Sequence, residues 1–231
     1  QAALEAFEAK TFTLKSGYKL QYRLLQPEKI EPGKKYPIVL FLHGMGERGD
    51  DNARQVRNGV ERLALPELRS KYPCFVIVPQ CPGNSFWGLA PERGNVVPNQ
   101  PLNAAFALID ETLKKQPTDK QRVYVLGLSM GGMGTFNALQ ARPRFFAAAI
   151  PICGNGDASK AATYKQTAIW IFHGEKDTTV PPTGSKSIAE ALKKAGAKPK
   201  LTLFPDVGHS AWIPALNSNE TWDWLFAQKR K

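Results

Sequence analysis

The stretch Val123-Tyr124-Val125-Leu126-Gly127-Leu128-Ser129-Met130-Gly131 decides the fold. Its first four residues form an apolar run of strand length, and a helical pattern follows over Gly131–Ala141. The glycines on either side of Ser129 predict a sharp turn between strand and helix, because a side chain at either position would collide with neighbouring backbone. Such a turn lifts the Ser129 hydroxyl out at the carboxyl edge of a sheet, beside a helix N-terminus.

Strand-like and helix-like segments alternate along the rest of the chain. The apolar runs of four to eight residues are typical of strands buried on both faces. Those expected are Ile38–Leu42, Phe75–Val78, Val123–Leu126, Phe146–Ile150, Ile169–Phe172 and Leu201–Phe204. The helical patterns cover roughly Val56–Leu68, Leu102–Lys115, Gly131–Ala141, Gly184–Ala195 and Asn219–Lys229. The alternation predicts an α/β fold, a mostly parallel twisted sheet with helices on both faces.

The N-terminal part follows a different pattern. Thr11–Leu14 and Leu20–Leu25 alternate apolar and polar residues around Ser16-Gly17, which predicts an antiparallel hairpin. Later, only a short connection separates Ile152 from Ile169, so the chain has no room there for a cap domain. We therefore expect residues 1–231 to form a single catalytic domain with an open site.

Composition and charge narrow the classes of partner. Hydrophobic residues make up 42% and charged residues 22%, as in a globular domain, and no apolar run is long enough to span a membrane. The formal net charge is +11. Apart from Lys229-Arg230-Lys231 the cations are scattered and not interleaved with aromatic residues, so nucleic acid is not an expected partner. Attraction to an acidic polysaccharide or a cell wall fits the same charge.

The three cysteines, Cys74, Cys81 and Cys153, form no C-x-x-C pair, which argues against a zinc or redox site. One disulfide is allowed by this count but not implied. No metal or other cofactor is expected. The chain starts at Gln1, as a mature form does after loss of a signal peptide or as a trimmed chain does, and a secreted or periplasmic location is the expectation.

The sequence Gly127–Gly131 matches G-x-S-x-G, so Ser129 is the candidate nucleophile and needs a base. Only three histidines are present. His43 and His173 each end a predicted strand and precede a glycine, which favours packing under the site. His209 follows the last strand, where the chain order serine, acid, histidine places the base.

The acid should lie between Ser129 and His209, on a loop at the same sheet edge. Asp177 follows the strand Ile169–Phe172 and precedes Val180-Pro181, and we favour it. Glu175 and Asp206 are the main alternatives, although Asp206 is close to His209 in sequence. Glu190 lies on a predicted helix, and Asp157 follows a different strand.

An oxyanion hole needs two backbone N–H groups directed at the developing charge. One is expected from Met130, directly after the nucleophile. The second is expected from Met45, in the glycine-rich stretch His43–Gly49 after the strand Ile38–Leu42.

Together these residues resemble the α/β-hydrolase superfamily along almost the whole chain. The resemblance rests on Phe41–Gly49, Gly127–Gly132, His173–Asp177 with Val180-Pro181, Gly208-His209 with Trp212, and Trp222–Leu225. Within the superfamily the chain is similar to the compact phospholipase/carboxylesterase group, near dienelactone-hydrolase-like and polyhydroxybutyrate-depolymerase-like esterases. The resemblance implies the α/β-hydrolase fold, a Ser129–His209–Asp177 triad and a cofactor-free hydrolase.

Pocket residues are suggested by position. Trp87 lies in the stretch Pro79–Pro101, rich in proline, glycine and asparagine, and is expected either to wall the substrate pocket or to pack this loop onto the core. Trp212, three residues after His209, is likewise expected either to wall the substrate pocket or to pack its loop onto the core. Glu47 and Arg48 are expected to brace the oxyanion loop through a salt bridge.

The sequence therefore predicts a serine carboxylic-ester hydrolase that acts through an acyl-enzyme. An open site favours short-chain or carbohydrate-linked esters, acetyl or feruloyl, on a polysaccharide. A serine peptidase, a polyester depolymerase or lipase, and a non-catalytic binding module are the alternatives.

Overall fold

The computed structural model describes residues 2–92 and 95–230. Within them an eight-stranded sheet has the order β1-β2-β4-β3-β7-β8-β9-β10. These strands are β1 Glu8–Thr13, β2 Lys19–Leu25, β3 Tyr36–Leu42, β4 Phe75–Pro79, β7 Thr118–Leu128, β8 Ala148–Ile152, β9 Ala168–Gly174 and β10 Lys200–Phe204. β1, β2 and β4 pair antiparallel, whereas the six strands from β4 to β10 in this order run parallel. The predicted α/β-hydrolase fold and its N-terminal hairpin are confirmed.

Helices cover both faces of the sheet. They are α1 Ala2–Ala6, α2 Pro66–Lys71, α3 Gln100–Lys115, α4 Met130–Ala141, α5 Thr183–Lys194, α6 Trp212–Asn217 and α7 Asn219–Ala227. Alternate residues of β3 join opposite cores, since Leu40 packs with α3, α4 and α5 while Val39 packs with α2, α6 and α7. Burial on both faces is why the parallel strands have continuous apolar runs.

Besides the short helices α1 and α6, which we did not predict, two segments differ from the sequence expectation. The predicted helix Val56–Leu68 is a short 3-10 helix, Val60–Ala64, followed by α2. Gly59 adopts a left-handed conformation with a φ of 115°, and Pro66 is tolerated only in the first turn of a helix, so the two residues divide the segment. The stretch Pro79–Pro101 contains a small antiparallel pair, β5 Leu89–Glu92 and β6 Asn95–Pro98, which we did not predict.

The connection from β8 to β9 contains only the 3-10 helix Ala158–Tyr164, so no cap stands over the carboxyl edge of the sheet at this point. Across the described ranges, every helix is too short or too polar to cross a bilayer. Cys74, Cys81 and Cys153 are buried free thiols. The assignment of residues 1–231 to one domain stays a prediction.

Candidate active site

Ser129 occupies the sharp turn between β7 and α4. Its φ of 54° and ψ of −118° lie outside the conformations that L-residues prefer, and its N–H donates to the carbonyl of Ile152 at 2.8 Å. A Cβ at Gly131 would overlap the carbonyl of Leu42, and one at Gly127 would overlap the carbonyls of Gly131 and Leu42. The G-x-S-x-G spacing thus reflects direct backbone contact among β3, β7 and α4.

We expect Gly131→Ala to lower the free energy of unfolding by about 2–3 kcal/mol, because the added methyl forces β3 and α4 apart. Gly83→Ala is the matched control, since a Cβ at Gly83 meets nothing within 4 Å. Urea unfolding of both variants measures the difference. Equal stability of the two would contradict this account of the turn.

His209 reaches the nucleophile from the loop after β10. Its Nε2 lies 2.8 Å from the Ser129 hydroxyl, and its Nδ1 lies 2.7 Å from Oδ2 of Asp177. The Nδ1 position carries the proton in the neutral ring, because its partner is a carboxylate, and Nε2 is then free to accept from the serine. The structure thus brings the three predicted triad residues into one chain of hydrogen bonds.

Asp177 is buried beneath His209 and fully hydrogen-bonded. Its Oδ1 accepts from the N–H groups of Thr179 and Val180, each at 2.9 Å. Burial by itself raises the pKa of this carboxyl, but the hydrogen bonds from His209 and from these two N–H groups outweigh it and hold the pKa below its ordinary value. Asp177 therefore stays ionised beside the imidazole at neutral pH.

Among the described residues, none of the other candidate acids bonds to the His209 ring, whose partners are Asp177 and Ser129. Asp206 pairs with Lys176 at 2.7 Å and is largely exposed, and Asp157 caps the 3-10 helix after β8. Glu190 pairs with Lys194 at 3.4 Å on α5, and Glu175 is exposed.

His43 and His173 are buried under the site, as their positions at strand ends predicted. His43 Nε2 accepts from the N–H of Cys81 at 2.9 Å, and Nδ1 donates to the carbonyl of Gly44 at 2.6 Å. Burial lowers the pKa of His43 to about 4, so this ring is neutral above that pH. The His43 ring thus links the start of the glycine-rich stretch His43–Gly49 to Cys81, just after β4.

Because the folded pKa of His43 is about 4 and the ordinary value is 6.5, the unfolded chain binds the extra proton between these values. Stability should therefore fall as the pH drops from 6.5 to 4, by about 3 kcal/mol from this group alone. Urea unfolding across this range measures the slope. His43→Gln should flatten it, and an unchanged slope in this variant would assign the effect to other groups.

His173 contacts the triad from below, a contact that the sequence did not reveal. Its Nε2 lies 2.8 Å from the carbonyl of Val180 and 3.3 Å from Oδ2 of Asp177, and its Nδ1 lies 2.7 Å from the hydroxyl of the buried Ser185. Ser185 in turn donates to the carbonyl of Gly154 at 3.0 Å. This network holds the Asp177 loop on α5 and β8.

The predicted oxyanion donors stand beside Ser129. Met45 begins a short 3-10 turn after β3, and Met130 begins α4. Within the described chain, no oxygen accepts a hydrogen bond from either N–H. Their role as oxyanion donors stays a prediction.

Glu47 and Arg48 brace this loop through hydrogen bonds, and not through the salt bridge that we expected between them. Glu47 accepts from the side chain of Asn58 at 3.0 Å. Arg48 donates to the carbonyls of Met45 and Ser85, at 3.2 and 3.1 Å.

An open cleft of about 860 Å³ surrounds Ser129. Its lining is largely apolar and includes Met45, Phe86, Trp87, Met133, Val180 and Trp212, with Asn137 and Asn155 among the polar groups. The size and composition suit an apolar acyl group with a few hydrogen-bonding partners.

Trp87 lines the cleft but is only 1% exposed. Its indole N–H donates to the carbonyl of His43 at 3.1 Å, and its ring packs edge-on against the His43 imidazole. These contacts fit the packing interpretation, whereas the neighbouring Phe86 is 53% exposed. Trp212 packs edge-on against His209 at 5.6 Å. The substrate contacts of both tryptophans stay predictions.

One group of potential metal ligands exists at the site, namely Cys153, Asp177 and His209, whose ligand atoms lie within 4.8 Å of one another. Asp177 and His209 are already bonded to each other, and the Cys153 thiol lies 3.1 Å from the carbonyl of His209. Burial raises the pKa of Cys153 to about 12, so the thiolate that a metal requires is disfavoured. The geometry suits a thiol that supports the His209 loop.

The sheet order, the turn at Ser129 and the loops at its carboxyl edge define an α/β-hydrolase. Residues 90–218, more than half of the chain, match the Dienelactone hydrolase family, and the chain belongs to it. The protein is accordingly a hydrolase with esterase relatives.

A solved thermostable esterase is 40% identical, with a TM-score of 0.91, over 99% of this chain and 64% of its own length. Acyl-protein thioesterase 1 of Neurospora crassa is 24% identical over 79% of this chain and 83% of its own. The bifunctional acetylxylan esterase/xylanase XynS20E of Neocallimastix patriciarum is 29% identical over 65% of this chain and 20% of its own.

Proposed function

We propose that this hydrolase is a serine carboxylesterase that works through an acyl-enzyme. The observation that carries the proposal is the continuous chain of hydrogen bonds from the Ser129 hydroxyl through His209 to the buried Asp177. A serine, a base and an orienting acid in this geometry are the requirements of nucleophilic acyl transfer.

In this mechanism Ser129 Oγ attacks the ester carbonyl as its proton passes to His209 Nε2. The carbonyl oxygen becomes an anion that the N–H groups of Met45 and Met130 stabilise, while Asp177 stabilises the imidazolium. Collapse breaks the C–O bond, and His209 returns the proton to the departing alcohol. Water then attacks the acyl-enzyme by the same route, giving the acid and free Ser129.

We expect Ser129→Ala to abolish hydrolysis of p-nitrophenyl esters and Asp177→Asn to lower kcat by about 10⁴-fold, since the amide favours the wrong histidine tautomer. A fluorophosphonate reagent should add one phosphonyl group to the wild type and none to Ser129→Ala, as read by intact mass.

Glu175→Gln is the matched control for the acid, because Glu175 is an exposed carboxylate on the same loop. It should retain wild-type kcat. Wild-type turnover in a folded Ser129→Ala variant would rule out the acyl-enzyme, and a loss with Glu175→Gln as large as with Asp177→Asn would rule out the assigned acid.

For the substrate, we propose carbohydrate-linked esters, with an aromatic acyl group such as feruloyl favoured over acetyl. An aromatic acyl group matches the apolar lining and the exposed Phe86, whereas acetyl fills little of a cleft this large. The acetylxylan esterase relative supports polysaccharide attachment. Such polymers are met outside the cell, in keeping with the proposed secreted or periplasmic location.

An ester is favoured over a peptide because an alcohol leaves more readily than an amine.

A second candidate is a polyester depolymerase or lipase. Two large apolar side chains exposed in the described structure, Met45 and Phe86, line the cleft, and a third, Ile213, lines an adjoining depression that shares Trp212 with it. An apolar rim is what an enzyme at a hydrophobic surface requires.

We expect Phe86→Ala to raise KM for methyl ferulate by roughly three- to ten-fold with little change in kcat, because the lost contact binds ground and transition state alike. The control Ile30→Ala removes an apolar side chain that is 44% exposed, against 53% for Phe86, and lies outside the cleft. An unchanged KM for methyl ferulate, together with a long-chain optimum on p-nitrophenyl esters, would favour the depolymerase or lipase.

A further inference from the structure

A second large concavity, of about 850 Å³, lies at the other edge of the sheet. It forms where the chain enters β8, β9 and β10 and where it leaves α7. We name it the basic hollow, and its lining residues are Arg144, Phe146, Ala147, Lys165, Gln166, Thr167, Ala168, Lys198, Gln228, Lys229 and Arg230.

Five of these residues are cations and none is an acid. Within the described residues, Arg144, Lys165, Lys198, Lys229 and Arg230 have no carboxylate within 4.0 Å. Five unpaired cations around one concavity repel one another, and a bound polyanion would relieve that repulsion.

Most cations of a neighbouring hollow at the same edge are paired. Its lining residues Lys34, Lys71 and Arg122 form ion pairs with Glu31, Asp223 and Asp119 respectively, and Asp223 is itself part of the lining, whereas Lys35 has no ion pair among the described residues. The lack of acids therefore distinguishes the basic hollow from its surroundings.

The basic hollow is held in place by the fold. The Arg230 guanidinium donates to the carbonyls of Arg144 and Phe145, at 3.0 and 3.2 Å. The backbone N–H of Arg230 donates to the carbonyl of Gln121 at 2.8 Å. Thr167 is 7% exposed, and its hydroxyl has no hydrogen-bond partner. The wall of the basic hollow thus contains one cation held by the fold and one buried hydroxyl without a partner, and a few placed polar groups are what orient a ligand in a site.

This concavity is separate from the catalytic cleft. Ser129 lies at the carboxyl end of β7, whereas Arg144 and Lys165 precede β8 and β9 at their amino ends. Five to seven residues of strand put roughly 17–23 Å between the two edges. A ligand here does not contact the triad.

We propose that the basic hollow binds a carboxylated polysaccharide, a chain that contains uronic acid residues. The cations meet the carboxylates, and the Gln166 amide can bond to the sugar hydroxyls. Gln228 offers its Oε1, since its Nε2 already donates to the carbonyl of Trp224 at 2.8 Å. The proposal extends the proposed substrate class, because a polymer held there keeps the enzyme on its substrate.

Nucleic acid and membrane fit this surface less well. Phe146, the aromatic residue of the lining, is 1% exposed and offers no face for base stacking. The exposed large apolar side chains of the described structure, among them Phe86 and Ile213, lie elsewhere, so an anionic membrane finds nothing here to insert.

The test measures binding of polygalacturonate to the Ser129→Ala variant of this chain by calorimetry at low ionic strength, so that no turnover intervenes. We expect binding that weakens with salt. Lys165→Gln/Lys198→Gln should weaken it by roughly three- to ten-fold. Lys15→Gln/Lys186→Gln, with the same change in net charge on exposed lysines outside the basic hollow, should leave it unchanged.

No binding, or an equal loss in both double variants, would overturn the proposal. Tighter binding of a single-stranded oligonucleotide or of phosphatidylglycerol vesicles than of polygalacturonate would overturn the choice of ligand. Since the assay needs no catalysis, failure of the esterase proposal would appear only in the p-nitrophenyl assays, where both double variants should retain wild-type rates.

Discussion

The structure depends on the close contact of backbone at the turn that bears Ser129. Gly131 lies against the carbonyl of Leu42, and the Ser129 N–H is bonded to the carbonyl of Ile152. Neighbouring strands β3 and β8 thus hold the turn from both sides. This clamp maintains a serine with positive φ, which an isolated turn would relax. The hydroxyl is therefore fixed before substrate arrives, and so is the start of α4, where Met130 is one of the two residues whose N–H groups we propose as oxyanion donors.

At the same sheet edge, Asp177 is buried and yet remains charged. A carboxylate as buried as Asp177 is unfavourable unless hydrogen bonds replace its water. Two N–H groups of its own loop and the His209 ring do this, and the His173 network holds that loop beneath. Positioning and ionisation thus have one cause, because the contacts that keep Asp177 charged also direct it at His209.

The sequence predicted the parts of this arrangement that follow from chain order and local chemistry. The G-x-S-x-G turn, the strand-end loop with Asp177 and the loop with His209 each carry a local signal. The contacts of His173 with Ser185 and of Cys153 with the His209 carbonyl join segments distant in sequence, so no local pattern indicates them. The helix predicted over Val56–Leu68 was wrong. The spacing of its apolar residues favoured a helix, but Gly59 adopts a left-handed conformation that interrupts one.

At the opposite edge of the sheet, helix dipoles explain some of the cations but not those of the basic hollow. Helix dipoles account for Lys114, Lys115, Lys193 and Lys194, which lie in the last turns of α3 and α5. The dipole effect falls off within that turn, and the cations of the basic hollow lie beyond the helix ends. These five cations gain no ion pair that would stabilise the fold, since no carboxylate of the described residues lies within 4.0 Å of them. A contribution to binding therefore explains them better than a contribution to stability.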